Sequence, residues 1–273
     1  MSERYIKCLF RGLGRLFPNC VIVGEAIAFN MFLAFFPMLL FAIGILSKTS
    51  FFTSAVLVFS DRLREILPPG SDEIVTAYFV HRGPNTGRWL TLGLAGTLLA
   101  GTQVMSVFME AFRIIEDDPV KLSYWSRSFR ALVLLVLTIG PTIAVIIFTV
   151  FGRQARNSLI HHIGLPLLVR GIYYLIYAAV VFLLAMIVLV LIYRIGRPGH
   201  RGFRPLLPGA LVATVLWWIA DVSFGFYVHK MPYNVVYGGL AAAIGLILWM
   251  YLTAMIVLLG AAFNAEFRES HSN

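Results

Sequence analysis

Six long runs of apolar residues, almost free of charge, dominate this sequence. They are bounded by charged residues and cover 26–47, 89–109, 131–152, 171–193, 206–228 and 231–265. A transmembrane helix needs about 20 mostly apolar residues, because the hydrocarbon layer is about 30 Å thick and each residue rises about 1.5 Å. We therefore predict an all-α membrane protein with one helix in each run, the last of them over 238–265.

The composition supports a single membrane domain over 1–273. Hydrophobic residues make up 59% of the chain and charged residues 13%, whereas soluble domains carry about 45–50% and about 25%. These fractions exclude a disordered chain, a nucleic-acid-binding tail and an ordinary cytosolic enzyme. The first run is longer than the 7–15 residues or so of a signal-peptide core, so we expect a span there and not a cleaved leader.

The charge of the chain is strongly positive, with 22 Lys and Arg against 13 Asp and Glu, a net charge of +9. With six spans, thirteen of the 22 basic residues fall on the side shared by the two termini and the second and fourth loops. Cytoplasmic loops carry the excess of Lys and Arg, so we predict that both termini are cytoplasmic. The positive excess then indicates orientation and contact with anionic lipid headgroups, and no binding of nucleic acid.

Two further segments are predicted to lie against the membrane. Residues 1–20 contain an amphipathic helix with basic residues on one face, which is typical of an interfacial helix; its role is topological anchoring or contact with anionic lipid. Residues 48–88 form a long outer loop with helical periodicity, stopped by prolines and glycine near 68–70. We expect a helical hairpin that serves either as a packed lid or as a gate.

Small residues at four-residue spacing predict where the helices pack closely, since lipid provides no hydrophobic drive between them. The second span carries Gly93, Thr97 and Gly101, and the fifth carries Gly209 and Ala213. The sixth carries a similar pair at 241 and 245. We interpret these stripes as packing surfaces.

Asp221 is the one charged residue within the six apolar runs. An ionisable residue at membrane depth is costly and is by default a functional candidate. Such a carboxylate faces a water-filled cavity, pairs with a donor or is protonated. A structural hydrogen bond and a transport role both remain open for it.

Four arginines fill the short fourth loop: Arg194, Arg197, Arg201 and Arg204. Their planar guanidinium groups suit phosphate, so they are candidates for binding lipid headgroups. The alternative is that they form salt bridges with carboxylates at the same depth. Candidate polar residues of a translocation path are Glu25, Asn30, Gln103, Glu110, Asp221, Tyr237, Asn264 and Glu266.

An enzymatic function is not expected from the motifs. The six histidines are scattered, and no HxH or HExxH spacing predicts a metal site. No nucleophile elbow, phosphate-binding loop or dinucleotide fingerprint is present in the sequence. We therefore predict no catalytic residues, no metal and no cofactor.

The last third of the chain carries recognisable motifs. These are RPLLPGALVATVLWW at 204–218, YNVVYGGL at 233–240, LWMYL at 248–252 and LGAAFNAE at 259–266, with AFFPMLL at 34–40 in the first span. Together they resemble the YihY/virulence factor BrkB family of bacterial inner-membrane proteins, over nearly the whole chain. The chain departs from the pattern at Asp221, where the family is expected to have a small or neutral residue.

The resemblance implies a six-span protein of the bacterial inner membrane that moves phospholipid out of that membrane. The family is often labelled ribonuclease BN, which the missing metal ligands argue against. We therefore expect a lipid transporter or flippase-like protein with phospholipids as its partners. The alternatives are a structural scaffold with envelope protein partners and, third, a solute or ion channel.

Overall fold

The fold is helical throughout the part of the chain that the structure, a computed structural model, describes. The described residues are 8, 10–14, 19–46, 86–117, 123–141, 167–197, 202–230 and 240–272, and they contain no strand. They form α1 (Asn19–Leu46), α2 (Thr86–Ile115), α3 (124–141), α4 (Leu167–Gly196), α5 (Leu207–Lys230) and α6 (Leu240–Ser272). A 3-10 turn, Arg204–Leu206, leads into α5.

Five of these helices are long and apolar enough to cross a membrane: α1, α2, α4, α5 and α6. The all-helical membrane architecture is therefore confirmed. Of the third predicted span, residues 131–141 are helical in α3, and 142–152 lie outside the described residues. The count of six spans stays a prediction.

The interfacial helix and the outer loop fall mostly outside the described residues. Of 1–20, the structure describes 8, 10–14, 19 and 20, all of them helical, and 19 and 20 begin α1. Gly12 in this turn lies against the backbone of α6, because a methyl group placed on it would approach the Phe263 nitrogen to 3.4 Å. Of the outer loop 48–88, only 86–88 are described, as the first turn of α2.

The second helix continues beyond the predicted boundary at 109. Arg113 bonds to Glu110 one turn earlier, with Nη2 2.5 Å from Oε1, and such i,i+3 pairs stabilise a helix end. Asp117 then adopts a φ of 50°. Aspartate tolerates this left-handed conformation better than most residues, and the turn stops α2.

The sixth helix is the longest and the most enclosed. Its 33 residues extend about 50 Å, more than the hydrocarbon thickness of about 30 Å. Half of its apolar window is buried, against 11% for α4. The C-terminal half of α6 is therefore a central packing element, while most of the apolar window of α4 is not buried.

The chain divides into two compact units. Unit 1 comprises Met1–Gly24, Met105–Ala220 and Thr253–Asn273, and unit 2 comprises Glu25–Val104 and Asp221–Leu252. The largest fully buried side chains of unit 1 include Tyr193, Phe112 and Phe263. The Phe112 and Tyr193 rings lie edge to face, with centroids 5.7 Å apart, so α2 and α4 meet through aromatic side chains.

In unit 2, small residues of α2 pack on α1. A methyl group on Gly93 would come within 2.8 Å of the Phe41 nitrogen, and one on Gly96 within 2.8 Å of Pro37. Packing at the predicted Gly93 stripe is confirmed. The prediction for Gly245 is wrong, since a methyl group there would meet nothing within 4 Å. The glycine of α6 that packs is Gly260, described below.

Candidate functional site

The ends of α2, α4 and α6 bring three charged side chains together in unit 1. The Arg197 guanidinium, just past α4, pairs with the Glu116 carboxylate, just past α2. Arg268 on α6 places Nη2 2.7 Å from the same Glu116 oxygen. We call Glu116, Arg197 and Arg268 the Glu116 cluster.

Burial differs sharply within the Glu116 cluster. The side chain of Arg197 is 1% exposed and that of Glu116 9%, whereas that of Arg268 is 42% exposed. Burial, together with the charge of Arg268, lowers the pKa of Arg197 to about 9, so this guanidinium remains charged at neutral pH. The Glu116 carboxylate thus forms ion pairs with two guanidinium groups.

Two nitrogens of Arg197 remain without a hydrogen-bond acceptor. Nε and Nη1 are buried and make no hydrogen bond, as is also true of Nη1 of Arg194 one turn earlier. A buried donor without a partner costs about 1–3 kcal/mol. The end of α4 therefore offers several N–H groups to a further acceptor, and an anion would satisfy them best.

The same end carries two more of the predicted arginines, the half-buried Arg194 and the exposed Arg204. The Arg194 guanidinium carbon lies 3.9 Å from the ring centroid of Phe203, a cation–π contact. Arg204 is exposed at the start of the 3-10 turn, which lies against the end of α4. The structure thus brings Arg194, Arg197 and Arg204 to one end of unit 1. Arg201 lies outside the described residues.

Asn264 fixes the start of α5. Its Oδ1 accepts the Gly209 N–H at 2.7 Å, and its Nδ2 donates to the Leu206 carbonyl at 3.1 Å. The first N–H groups of a helix lack partners within the helix, and Asn264, only 2% exposed, satisfies one of them from α6. The structure therefore gives Asn264 a capping role that the sequence does not predict.

Beneath this cap, α5 and α6 cross at two glycines. A methyl group on Gly209 would collide with the Gly260 carbonyl and would approach Asn264 Nδ2 to 2.5 Å. One on Gly260 would collide with the Tyr193 hydroxyl and would approach the Cβ of Ala213 to 2.8 Å. The packing predicted for Gly209 and Ala213 is confirmed, with Gly260 as the partner.

Tyr193 ties α4 into the same crossing. Its hydroxyl donates to the Val257 carbonyl of α6 at 2.8 Å, and the side chain is fully buried. Tyr193, Glu116 and Gly260 do not stand out in the sequence as site residues. The signal for Glu116 is weak, because it lies beyond Glu110, which bounds the apolar run, and its partner Arg197 is far away in sequence.

Among the other candidates in unit 1, Glu110 pairs with Arg113 and lies 3.7 Å from Arg127. Glu266 is 8% exposed on α6. Glu110 belongs to a partly exposed pair separate from the Glu116 cluster. These contacts resemble the salt bridges that are the alternative to a headgroup site.

The candidates in unit 2 do not gather into a site within that unit. Glu25 and Gln103 are exposed, and Asn30 donates to the Ala26 carbonyl of its own helix at 2.7 Å. Asp221 is exposed on α5. Tyr237 lies outside the described residues.

The described residues contain no group of three His, Cys, Asp or Glu side chains positioned to hold a metal ion. Cys8 and Cys20 are buried and form no disulfide. The end of α4 carries guanidinium groups that can recognise a negative charge.

Comparison with known proteins identifies relatives over almost the full chain. Residues 18–273 match the family model described as Virulence factor BrkB. The ribonuclease-like protein YfkH of Bacillus subtilis is 24% identical over 242 residues, which cover 88% of this chain and 86% of YfkH. No solved structure matches the chain.

Two further relatives are named only as membrane proteins. The UPF0761 membrane protein of Nitrosospira multiformis is 24% identical over 97% of this chain and 62% of its own length. That of Vibrio vulnificus strain YJ016 is 28% identical over 89% of this chain and 76% of its own length. The chain therefore spans less than two thirds of some of its relatives.

Proposed function

The chain belongs to the virulence factor BrkB family of membrane proteins, and we propose that it moves phospholipids across the bacterial inner membrane. It acts without catalysis, and the arginines at the end of α4 receive the phosphate of the headgroup. Both termini and this arginine end face the cytoplasm, as the distribution of basic residues predicts.

One observation carries this proposal: the buried guanidinium nitrogens at the end of α4. Arg197 is charged, and its Nε and Nη1 have no hydrogen-bond acceptor. Arg194 and Arg204 lie at the same end and are better exposed. A phosphate presents several acceptor oxygens, and arginine binds it in bidentate fashion. Arg194 and Arg204 form the entrance for such a group, and Arg197 adds positive charge beneath them.

The main alternative is a structural protein of the envelope, with protein partners and no transport. The Asn264 cap, the glycine crossing and the Tyr193 bond favour this alternative, because they show a tightly packed end of unit 1. A solute or ion channel is the third candidate. Ribonuclease activity is suggested only by the name of the relative YfkH. No residue in the described part of the chain supports it.

The proposal is tested by lipid movement in vesicles. Purified protein is reconstituted with phosphatidylethanolamine, phosphatidylglycerol and a trace of acyl-labelled fluorescent phosphatidylglycerol, and dithionite then bleaches the outer leaflet. The wild type should make the inner-leaflet label accessible. The double variant Arg194→Gln/Arg204→Gln should slow this on the order of tenfold, since two charge contacts of up to about 1 kcal/mol each are lost.

The matched control is Arg88→Gln, the same change at the opposite end of α2 from Glu116. It should leave the rate unchanged. Equal rates for wild type and the double variant, at equal thermal stability, would remove the headgroup role of the arginines. No movement with the wild type would favour the scaffold, and release of a trapped small dye would favour the channel.

A further inference from the structure

The last turn of α4 is held in place by the helices beside it. The Tyr193 hydroxyl donates to the Val257 carbonyl of α6 at 2.8 Å. Gly196 lies against Phe112 of α2, since a methyl group on it would come within 2.9 Å of two carbons of that ring. The arginines at this end therefore extend from a fixed backbone, which reduces the entropy lost when they bind a ligand.

Buried donors of Arg194 and Arg197 lack acceptors at this helix end. Basic side chains near the C-terminus of a helix often donate to its last carbonyls. Here Nη1 of Arg194 and both Nε and Nη1 of Arg197 are buried and make no hydrogen bond. The side chain of Arg197 is 1% exposed, so bulk water does not reach it. Favourable interaction with the helix dipole does not require unpaired donors, so these nitrogens indicate a further ligand that supplies acceptors.

Positive charge exceeds negative charge in the ion pairs at this end. The Glu116 carboxylate pairs with both Arg197 and Arg268. Within the part of the chain that the structure describes, neither Arg194 nor Arg204 pairs with a carboxylate. Four guanidinium groups thus have one carboxylate between them. A ligand that brings a net negative charge would reduce this imbalance, whereas a ligand of zero net charge would not.

Exposed apolar side chains lie next to these arginines. The ring of Phe203 is 51% exposed, and the Arg194 guanidinium carbon lies 3.9 Å from its centroid. Leu207, three positions after Arg204 in the first turn of α5, is 40% exposed. A free phosphate ion makes no use of apolar surface, whereas a lipid brings hydrocarbon together with its charge. Basic side chains at the ends of membrane helices are typical of sites for lipid headgroups.

We propose that the arginines at the end of α4 select phospholipids of net negative charge, of which phosphatidylglycerol is the probe, over zwitterionic ones such as phosphatidylethanolamine. The phosphate accepts from the unpaired nitrogens of Arg194 and Arg197, and Phe203 and Leu207 contact the hydrocarbon part. A zwitterionic headgroup brings an ammonium group to the same place, where the guanidinium charges repel it. This inference rests on the proposed function, because it names the class of lipid that the same arginines receive.

The experiment measures binding separately from movement. Detergent-purified protein is mixed with equal amounts of phosphatidylglycerol and phosphatidylethanolamine, and native mass spectrometry gives the ratio of the two bound lipids. The wild type should retain phosphatidylglycerol preferentially. Arg194→Gln/Arg204→Gln should lower the ratio of phosphatidylglycerol to phosphatidylethanolamine by about tenfold, equivalent to about 1.4 kcal/mol.

The matched control is Arg64→Gln/Arg88→Gln, which removes the same two charges from unit 2. It should leave the ratio of bound lipids unchanged. An equal fall in both double variants would show that only the net charge of the protein matters, and an unchanged ratio in Arg194→Gln/Arg204→Gln would remove the site. Either result overturns the inference.

Two further probes use the wild type alone, so they do not depend on the folding of a variant. N-acetyl phosphatidylethanolamine keeps the phosphate and the acyl chains but has lost the cation, so it should bind as well as phosphatidylglycerol. Equal binding of this lipid and phosphatidylethanolamine overturns the inference. Glycerol 3-phosphate, at the concentration of the lipid, should not displace phosphatidylglycerol. Displacement would identify a site for soluble phosphate and would overturn the lipid selectivity.

The two proposals fail separately. A preference for phosphatidylglycerol that depends on Arg194 and Arg204, without lipid movement in vesicles, contradicts the transport function and retains the selective site. Lipid movement by the wild type, with no preference between the two lipids in binding, retains the transport function and removes the selectivity.

Discussion

At the scale of single residues, the Glu116 cluster is where burial decides the energetics. Glu116 is 9% exposed and neutralises Arg197, whose side chain is 1% exposed. Removing one partner of a buried ion pair leaves an uncompensated charge and costs about 3–5 kcal/mol. We therefore expect Glu116→Gln to lower the free energy of unfolding by about 3 kcal/mol, measured in mixed detergent micelles with increasing dodecyl sulfate.

Glu110 provides the matched control, because it lies near Glu116, in the last two turns of α2, and also pairs with an arginine. Its side chain is 37% exposed, and exposed pairs contribute at most about 1 kcal/mol. Glu110→Gln should therefore change the free energy of unfolding by less than about 1 kcal/mol. Similar losses for the two variants would contradict a special role of the buried pair.

At the scale of the elements, α5 and α6 can cross closely because the residues at the contact, Gly209 and Gly260, have no side chain. A methyl group on Gly209 collides with backbone, which cannot move aside as a flexible side chain can. Overpacking of this kind costs about 1–3 kcal/mol. We expect Gly209→Ala to lower the free energy of unfolding by at least about 2 kcal/mol and to separate the two helices.

The control for this prediction is Gly245→Ala on α6, where a methyl group meets nothing within 4 Å. Alanine favours a helix over glycine by up to about 1 kcal/mol, so this variant should be as stable as the wild type or slightly more stable. Equal destabilisation by both variants would indicate that glycine matters here for helix flexibility, and would contradict the packing argument.

The sequence predicts these helices well and their contacts only in part. A charge-free run of about 20 residues predicts a span, because a helix of that length crosses the bilayer. Five of the runs match helices long enough to span it. The stripe at Gly93 and the pair Gly209 and Ala213 identify packing surfaces. Gly245 and Gly260 are both glycines on α6, but only the crossing with α5 shows that Gly260 is the one in contact.

The residues of the candidate site can also be predicted only in part from the sequence. Arginines near 194–204 are visible in the sequence because they crowd a short loop. Their partner Glu116 is some 80 positions from Arg197, and no local pattern joins them. Asn264 is a candidate because it is polar at the end of a span, but its bonds to Leu206 and Gly209 depend on how α5 and α6 meet.

At the scale of the whole molecule, the number of spans decides whether the two termini share a side. The turn at 10–14 meets the C-terminal half of α6, because Gly12 lies against the backbone of Ala262 and Phe263. Two segments in contact belong to the same end of the same unit, here unit 1. Six spans, an even number, is the prediction from the sequence, and it places both termini on one side.

The termini can be tested with a membrane-impermeant maleimide after Cys8 and Cys20 are replaced by alanine. With six spans and a cytoplasmic N-terminus, Ser2→Cys and Ser272→Cys should both be labelled only after spheroplasts are permeabilised. Ser71→Cys in the outer loop should be labelled in intact spheroplasts and serves as the positive control. Five spans would place the two termini on opposite sides, so that one terminal cysteine reacts in intact spheroplasts. Because Gly12 and Phe263 are in contact, that result would also mean that the N-terminal turn leaves α6 when the protein enters the membrane.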